Sequence, residues 1–183
     1  IPHRVAEEYL SNRLTVIHQQ ESYYDTAIKS INELKGSLDN SRNHPFVSKP
    51  TMTKATSAFN ELLAELEQNK NIHTKRIYDD EIKEVIATVF EGRVGKSYDE
   101  PKLLELIKEG ELRYSQKIPP GYKDANKAPK SEVLSEKCRP FGDLIFWKQI
   151  LEFSKDTRSN IVLITDDKKE DWWEISKGKC RRS

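Results

Sequence analysis

Apolar residues recur at spacings of three, four or seven between residues 5 and 38, which is the period of one face of an α-helix. This pattern predicts one long helix, which Gly36 and the polar segment 39–50 bring to an end. Two further amphipathic stretches, at 55–66 and 82–90, predict a second and a third helix. The first half of the chain is therefore expected to be a helical bundle, with most of its apolar residues in the core.

The pattern changes after Gly92. Asp99 is placed as the N-cap of a short helix that has Pro101 in its first turn and ends at Gly110. Residues 115–142 then form a long polar stretch with four prolines. Because loops of this length are uncommon inside a compact domain, we expect the stretch to be functional or disordered.

The last third of the chain has the pattern of an α/β unit. Asp143 opens an apolar helix that runs to Phe153, and residues 160–165 form a continuous apolar run that predicts a buried strand. A helix, a short turn and a buried strand make up half of a parallel α/β unit.

Length and charge narrow the functional classes. The 183 residues suit one domain, and 31 basic against 30 acidic residues give a net charge of +1. A uniformly basic nucleic-acid coat and an acidic tail protein are therefore excluded. No uncharged run approaches the roughly 20 residues of a membrane span, so no membrane partner is expected.

The cysteines and the first residue add two expectations. Cys138 and Cys180 lack the spacing of a zinc site or a disulfide framework, so a reducing cytoplasm is the expected location. Residue 1 is Ile and the one methionine is Met52, so the chain is expected to be a processed form or a fragment.

Two familiar catalytic patterns fail here. The run from Gly92 to Ser97 imitates the end of a phosphate-binding loop, but Phe90 stands where that motif needs its first glycine. The four histidines have no nucleophile motif near them, so a Ser-His-Asp hydrolase has no support. The remaining chemical candidates are carboxylates.

Three of these carboxylates flank the predicted helix and strand. Asp143 starts the helix, while Asp166 and Asp167 directly follow the strand. Each alone could be a capping residue. Ligands of α/β sheets collect beyond the carboxyl ends of the strands, and carboxylates that meet there repel one another unless a cation lies between them. Oxygen ligands favour Mg²⁺ or Mn²⁺.

The sequence resembles the PIN-like nuclease domains. The resemblance rests on the following segments: Ile1-Pro-His-Arg-Val-Ala-Glu-Glu-Tyr-Leu10, Pro119-Pro-Gly-Tyr-Lys-Asp124, Gly142-Asp-Leu-Ile-Phe-Trp-Lys-Gln-Ile-Leu151 and Ile161-Val-Leu-Ile-Thr-Asp-Asp-Lys-Lys-Glu-Asp-Trp-Trp173. It implies a Rossmann-type parallel sheet with a large helical insertion at about 11–110, and a catalytic α/β part at about 1–10 and 111–183.

The resemblance also implies a site. The family's acidic cluster falls on Glu8, with Glu7 as the alternative, and on Asp143 and Asp167, with Asp166 and Asp124 as further candidates. Glu8, Asp143 and Asp167 would hold one or two Mg²⁺ or Mn²⁺ ions. The family's first strand carries another acidic ligand and is not found before Ile1, and the closing segment is short, so the domain is expected to be truncated at both ends.

The long loop next to this site is basic. The residues expected to hold a nucleic-acid backbone are Lys123, Lys127, Lys130, Lys137 and Arg139. A solvated surface segment is the equal alternative for this loop. The substrate is expected to be RNA rather than DNA, in a setting such as a toxin or phage defence, with a second copy or an antitoxin as partner.

The competing hypothesis is a module without catalysis. The helices predicted within 5–38 and 54–90 would then form a surface for oligomerisation or for binding a partner. Their apolar stripes are too interrupted for a sustained coiled coil.

Overall fold

A computed structural model describes residues 1–39, 47–127, 131–176 and 179–182. The helices are α1 (His3–Asp39), α2 (Lys49–Lys75), α3 (Glu81–Phe90), α4 (Glu100–Ser115), α5 (Leu134–Cys138) and α6 (Gly142–Thr157). Two 3₁₀ segments (Tyr122–Lys127 and Arg139–Phe141) and two strands, β1 (Trp173–Ser176) and β2 (Lys179–Arg182), complete the described elements. The chain divides into one unit made of 1–8 and 92–183 and another made of 9–91, whereas the sequence placed the insertion at about 11–110.

The unit of residues 9–91 is helical. Within it α1 and α2 run antiparallel, because the later residue of α1 contacts the earlier residue of α2. Lys35 Nζ donates a hydrogen bond to Asn60 Oδ1 (2.7 Å), and Lys70 Nζ forms a salt bridge with Asp25 Oδ1 (2.7 Å). The long helix predicted from the periodicity is confirmed. Its apolar stripe is less buried than expected, since Ile17 is the one buried apolar side chain described in α1 and none is buried in α2.

Asp80 connects the start of α3 with α1. It caps α3 by accepting hydrogen bonds from the backbone amides of Ile82 and Lys83, and it forms a 2.7 Å ion pair with Arg13. Burial opposes ionisation of the carboxyl group, but the hydrogen bonds from Arg13 and the two amides outweigh it and lower the pKa of Asp80. The stabilisation is therefore present above the ordinary pKa of 3.8 and is lost as the pH falls through the lowered value.

The two aspartate caps give a matched test of this ion pair. Asp80→Ala removes a cap and leaves Arg13 without its carboxylate, so we expect a loss of roughly 2–4 kcal/mol in the free energy of unfolding. Asp99→Ala removes only the exposed cap of α4, where Asp99 accepts from the amide of Lys102, and should cost about 1 kcal/mol. Urea unfolding of both variants measures the difference, and equal losses would show that the ion pair with Arg13 adds no stability.

The other unit is built on a small helical core. The core consists of Leu106 and Tyr114 of α4, Cys138 of α5, Phe141 of the 3₁₀ segment before α6, and Ile145 of α6. The cap at Asp99 is confirmed, but α4 does not end at Gly110 as predicted. A Cβ at Gly110 would lie 2.3 Å from Cδ1 of Phe141, so the glycine serves close packing inside the helix rather than its termination.

The expected parallel sheet is wrong for the part of the chain that the structure describes. Its two strands form one antiparallel pair, with Trp173 opposite Arg182. Residues 160–165, predicted as a buried strand, belong to no helix or strand, and Val162 and Ile164 are 86% and 92% exposed. An apolar run becomes a strand only when a neighbour accepts and donates its backbone hydrogen bonds, and no described segment pairs with this one.

The long stretch from 115 to 142 contains regular structure in its described residues. It contains the two 3₁₀ segments and α5, and a cis peptide bond joins Pro119 to Pro120. Among the described residues no helix is both long and apolar enough to cross a membrane.

Candidate active site

One cavity of about 170 Å³ brings together acidic residues that lie far apart in the sequence. Glu8 of α1, Asp143 of α6 and Asp167 of the segment before β1 all line it, with Thr165 and Trp172 beside them. All these residues belong to the unit of 1–8 and 92–183. The wall thus combines three carboxyl groups and the guanidinium of Arg4 with apolar and aromatic side chains, which solvate negative charge poorly.

Glu8 is held by Arg4, one helical turn earlier on α1. The guanidinium of Arg4 is 7% exposed and binds Glu8 Oε1 at 2.9 Å and Glu7 Oε2 at 3.0 Å. A Cβ at Gly142 would lie 2.4 Å from Glu8 Oε1, so this glycine lets the start of α6 approach the ion pair. Arg4 therefore fixes the carboxylate of Glu8 next to the first turn of α6.

Asp143 lies in that first turn and is partly buried. The indole N–H of Trp172 donates to Asp143 Oδ2 at 2.9 Å. Burial raises the pKa of Asp143, and the charges of Asp124 and Asp167 raise it further, against the hydrogen bond from Trp172 and the charge of Lys169. Burial is thus the main reason why the charged form of Asp143 is disfavoured in the folded chain.

Asp167 is part of a tight turn. Its Oδ1 accepts from the amide of Lys169 (2.9 Å), its Oδ2 pairs with the ammonium of Lys169 (3.1 Å), and its own amide donates to Thr165 Oγ1 (3.1 Å). The indole N–H of Trp173 donates to the carbonyl of Asp167. The turn-capping role considered for Asp167 is therefore present, and it also positions the carboxylate on the cavity wall.

The two further candidates lie at different distances from the cavity. Asp166 is exposed and is not among the cavity's lining residues. Asp124 does not line the cavity either, but its charge acts on Asp143, and its Oδ2 pairs with Lys127 at 2.8 Å. Within the described residues the acidic cluster is thus Glu8, Asp143 and Asp167, with Asp124 nearby.

Comparison with known protein families identifies the family of the chain. The profile of the PIN-like domain family matches residues 1–182 of the 183. The chain belongs to the PIN-like domain family. Members of this family are in general nucleases, so the resemblance seen in the sequence segments is confirmed at the level of the family. No curated protein and no solved structure matches the chain.

The donor set of this PIN-like domain suits a hard cation. Across the described residues no three acidic, histidine or cysteine side chains lie close enough to hold a metal ion by themselves. Mg²⁺ seldom needs such a cage, because it keeps several waters and is bound by one or two carboxylates together with substrate phosphates. Carboxylates that raise one another's pKa, as at Asp143, are the environment that such an ion relieves.

The basic residues expected to contact nucleic acid carry acidic partners in this PIN-like domain. Lys130 lies outside the described residues. The other four form ion pairs, namely Lys123 with Glu170 (3.0 Å), Lys127 with Asp124 (2.8 Å), Lys137 with Glu132 (2.5 Å) and Arg139 with Glu136 (3.8 Å). Any phosphate that binds there has to exchange with these carboxylates.

Asp171 is a residue that the sequence analysis missed. Its side chain is completely buried, its carbonyl accepts from the amide of Gly121 (3.1 Å), and its Oδ2 accepts from the amide of Lys123 (3.3 Å). Its Oδ1 has no hydrogen-bond partner among the described residues. Asp171 therefore ties the Pro119–Lys123 loop to the segment that carries Trp172, and an acidic residue directly before two tryptophans was the signal.

Proposed function

We propose that this PIN-like domain is a nuclease that depends on Mg²⁺ or Mn²⁺ and hydrolyses phosphodiester bonds of RNA or of single-stranded nucleic acid. The supporting observation is the convergence of Glu8, Asp143 and Asp167, from three distant segments, on one cavity wall. These carboxylates are proposed as the ligands of the cation. Asp124 is proposed as an additional acidic group at the edge of the site, and Asp166 as an exposed neighbour outside it.

The cation, when bound, would supply positive charge to the phosphodiester oxygens and would lower the pKa of a water molecule. The chain's own residues orient the carboxylates. Arg4 fixes Glu8, the indole of Trp172 fixes Asp143, and the turn closed by Lys169 fixes Asp167. Arg4 binds Glu8 through Oε1 and Trp172 binds Asp143 through Oδ2, whereas Lys169 contacts both oxygens of Asp167, so a cation bound at Asp167 has to compete with the Lys169 ammonium.

The basic loop is proposed to hold the phosphate backbone outside the cavity. Lys123, Lys127, Lys137 and Arg139 are available for this once a phosphate replaces their carboxylate partners. Since each exchange swaps one anion for another, these contacts should position the strand rather than supply most of the affinity.

Removal of the cation tests the proposed function. With fluorescently labelled single-stranded RNA and DNA, we expect cleavage in Mg²⁺ or Mn²⁺ and a loss of about 10³-fold or more in excess EDTA, since several kcal/mol of charge stabilisation disappear. Restoring the cation should restore cleavage. Cleavage that continues unchanged in EDTA, or no cleavage of either strand with either cation, would contradict the proposal.

A further inference from the structure

A second cavity, of about 550 Å³, lies directly beside the acidic one and shares Leu163 and Trp172 with it. Its wall is apolar and aromatic, with Arg113 as the one charged lining residue. The lining residues on which the argument rests are Trp147, Trp172, Trp173, Pro120, Val162 and Arg113. Its volume lies within the range of small-molecule sites, about 300–1,000 Å³.

The indole N–H groups of Trp172 and Trp173 already donate hydrogen bonds to residues that do not line this cavity. The indole N–H of Trp172 donates to Asp143, and that of Trp173 donates to the carbonyl of Asp167. These rings therefore have only apolar and π surface to offer an occupant. Trp147 packs edge-on against Trp172, with ring centroids 6.1 Å apart and planes at 87°. The arrangement suits a flat aromatic group better than a chain of hydrogen-bonding groups.

The same two hydrogen bonds connect this cavity with the acidic site, which is the cavity lined by Glu8, Asp143 and Asp167. Trp172 hydrogen-bonds to Asp143 and Trp173 to the backbone of Asp167, so a group stacked against these two rings lies close to the candidate ligands. The acidic wall repels phosphate unless a cation is present, whereas the aromatic wall attracts an uncharged base. The guanidinium of Arg113 lies at the aromatic cavity, where it pairs with Glu109 (3.6 Å) and donates to the carbonyl of Pro119, so a nucleotide's phosphate has to compete with these partners.

We propose that this aromatic cavity binds an unpaired nucleobase of the nucleic-acid strand whose phosphodiester lies at the acidic site. The inference rests on the proposed function and deepens it, because it makes the substrate single-stranded at the base that enters. A base held in a duplex cannot enter the cavity without breaking its pair. Selection for unpaired strands thus follows from stacking and needs no base-specific hydrogen bond.

Binding measured in EDTA tests this inference separately from cleavage. The probes are fluorescein-labelled hexauridylate, an abasic ribose-phosphate chain of the same length, and a hairpin in which the same six uridines pair with adenines next to a stable G·C stem, which serves as the duplex; they are compared by anisotropy. We expect the single strand to bind about 5- to 150-fold more tightly than the abasic chain, which is the range for one stacked base. The duplex should bind no better than the abasic chain. Equal affinity for the single strand and the abasic chain would overturn the inference.

Two exposed positions give a matched pair of variants on the segment 160–165. Val162 lines the cavity and is 86% exposed, while Ile164 is 92% exposed and lies outside its lining. Val162→Glu should weaken binding of hexauridylate at least about 5-fold by placing a negative charge at the cavity, and Ile164→Glu should not. Both side chains are exposed, so both variants should fold. Equal effects of the two substitutions would count against the cavity as the binding site.

Trp147 gives an independent check inside the cavity. Trp147→Ala should lower the affinity for hexauridylate about 5-fold or more and leave that for the abasic chain unchanged, while Trp147→Phe should restore most of it. An alanine variant that binds hexauridylate as the original chain does would contradict the inference. Absence of cleavage together with base-dependent binding would refute the nuclease function alone, and cleavage without base-dependent binding would refute the cavity alone.

Discussion

Asp143→Asn is expected to lower cation-dependent cleavage about 10³-fold while leaving the fold intact. The substitution removes the charge that the cation needs, a loss of several kcal/mol at the reacting phosphate. The asparagine has the same shape, and its carbonyl oxygen can still accept the hydrogen bond from Trp172. Cleavage of labelled single-stranded RNA in Mn²⁺ measures the loss.

The free energy of unfolding of the Asp143→Asn variant should not fall with its activity. Because burial and neighbouring carboxylates raise the pKa of Asp143, its charged form is costly in the folded chain. A neutral asparagine should leave the free energy of unfolding unchanged or increase it, as is common where a site is shaped for function. Asp156→Asn, at an exposed position on the same helix α6, is the control and should change neither property. Full activity of Asp143→Asn would exclude Asp143 as a ligand.

Gly121→Ala is expected to cost roughly 2–5 kcal/mol of unfolding free energy and to impair the site at the same time. Gly121 has φ +82°, where an L-residue costs about 1–2 kcal/mol. An added Cβ would also lie 2.6 Å from Cβ of Asp143 and 2.9 Å from the hydroxyl of Tyr114, and such overpacking typically costs another 1–3 kcal/mol. Displacement of Asp143 should lower cleavage by about 100-fold.

Gly92→Ala separates the two causes. Gly92 also has a positive φ, +66°, but nothing lies within 4 Å of an added Cβ. The backbone cost alone, about 1–2 kcal/mol, is therefore expected there, with no effect on cleavage. Urea unfolding and the cleavage assay compare the two variants directly. If Gly121→Ala costs no more than Gly92→Ala, the close approach of the loop to Asp143 is not structurally important.

The sequence predicted the helices well because their signals are local. The apolar period over 5–38 and the cap at Asp99 depend on neighbours within a few residues, and both are confirmed. Gly110 misled the prediction for the same reason. A glycine usually signals a helix end, and only the distant ring of Phe141 explains why this one lies inside α4.

The parallel sheet was predicted wrongly because a strand is not a local structure. The run at 160–165 has the composition of a buried strand, but composition does not supply the neighbour that a strand must pair with. In the described residues its apolar side chains instead line cavities, as Leu163 does, or remain exposed, as Ile164 does.

The sequence pattern alone placed Asp143, Asp166 and Asp167 together as candidates, and the family resemblance added Glu8. Spacing alone could not bring Glu8 next to Asp143, since 134 residues separate them, whereas the family's motifs implied it and the cavity contains both. The supporting residues were missed. Arg4 looked like any surface charge of an amphipathic helix, and Asp171 like one more acid in a charged run, because burial is a tertiary property.

The exposed segment 160–165 affects the solubility of the protein. Asn160-Ile-Val-Leu-Ile-Thr165 contains no charge, proline or glycine and is rich in β-branched residues, which is the composition of segments that stack into cross-β aggregates. Charged residues bracket it, with Arg158 before it and the run Asp166-Asp-Lys-Lys169 after it. Such flanking charges act as gatekeepers against self-association. Keeping these five charged residues is thus a requirement for solubility, separate from any part that Asp167 plays in binding a cation.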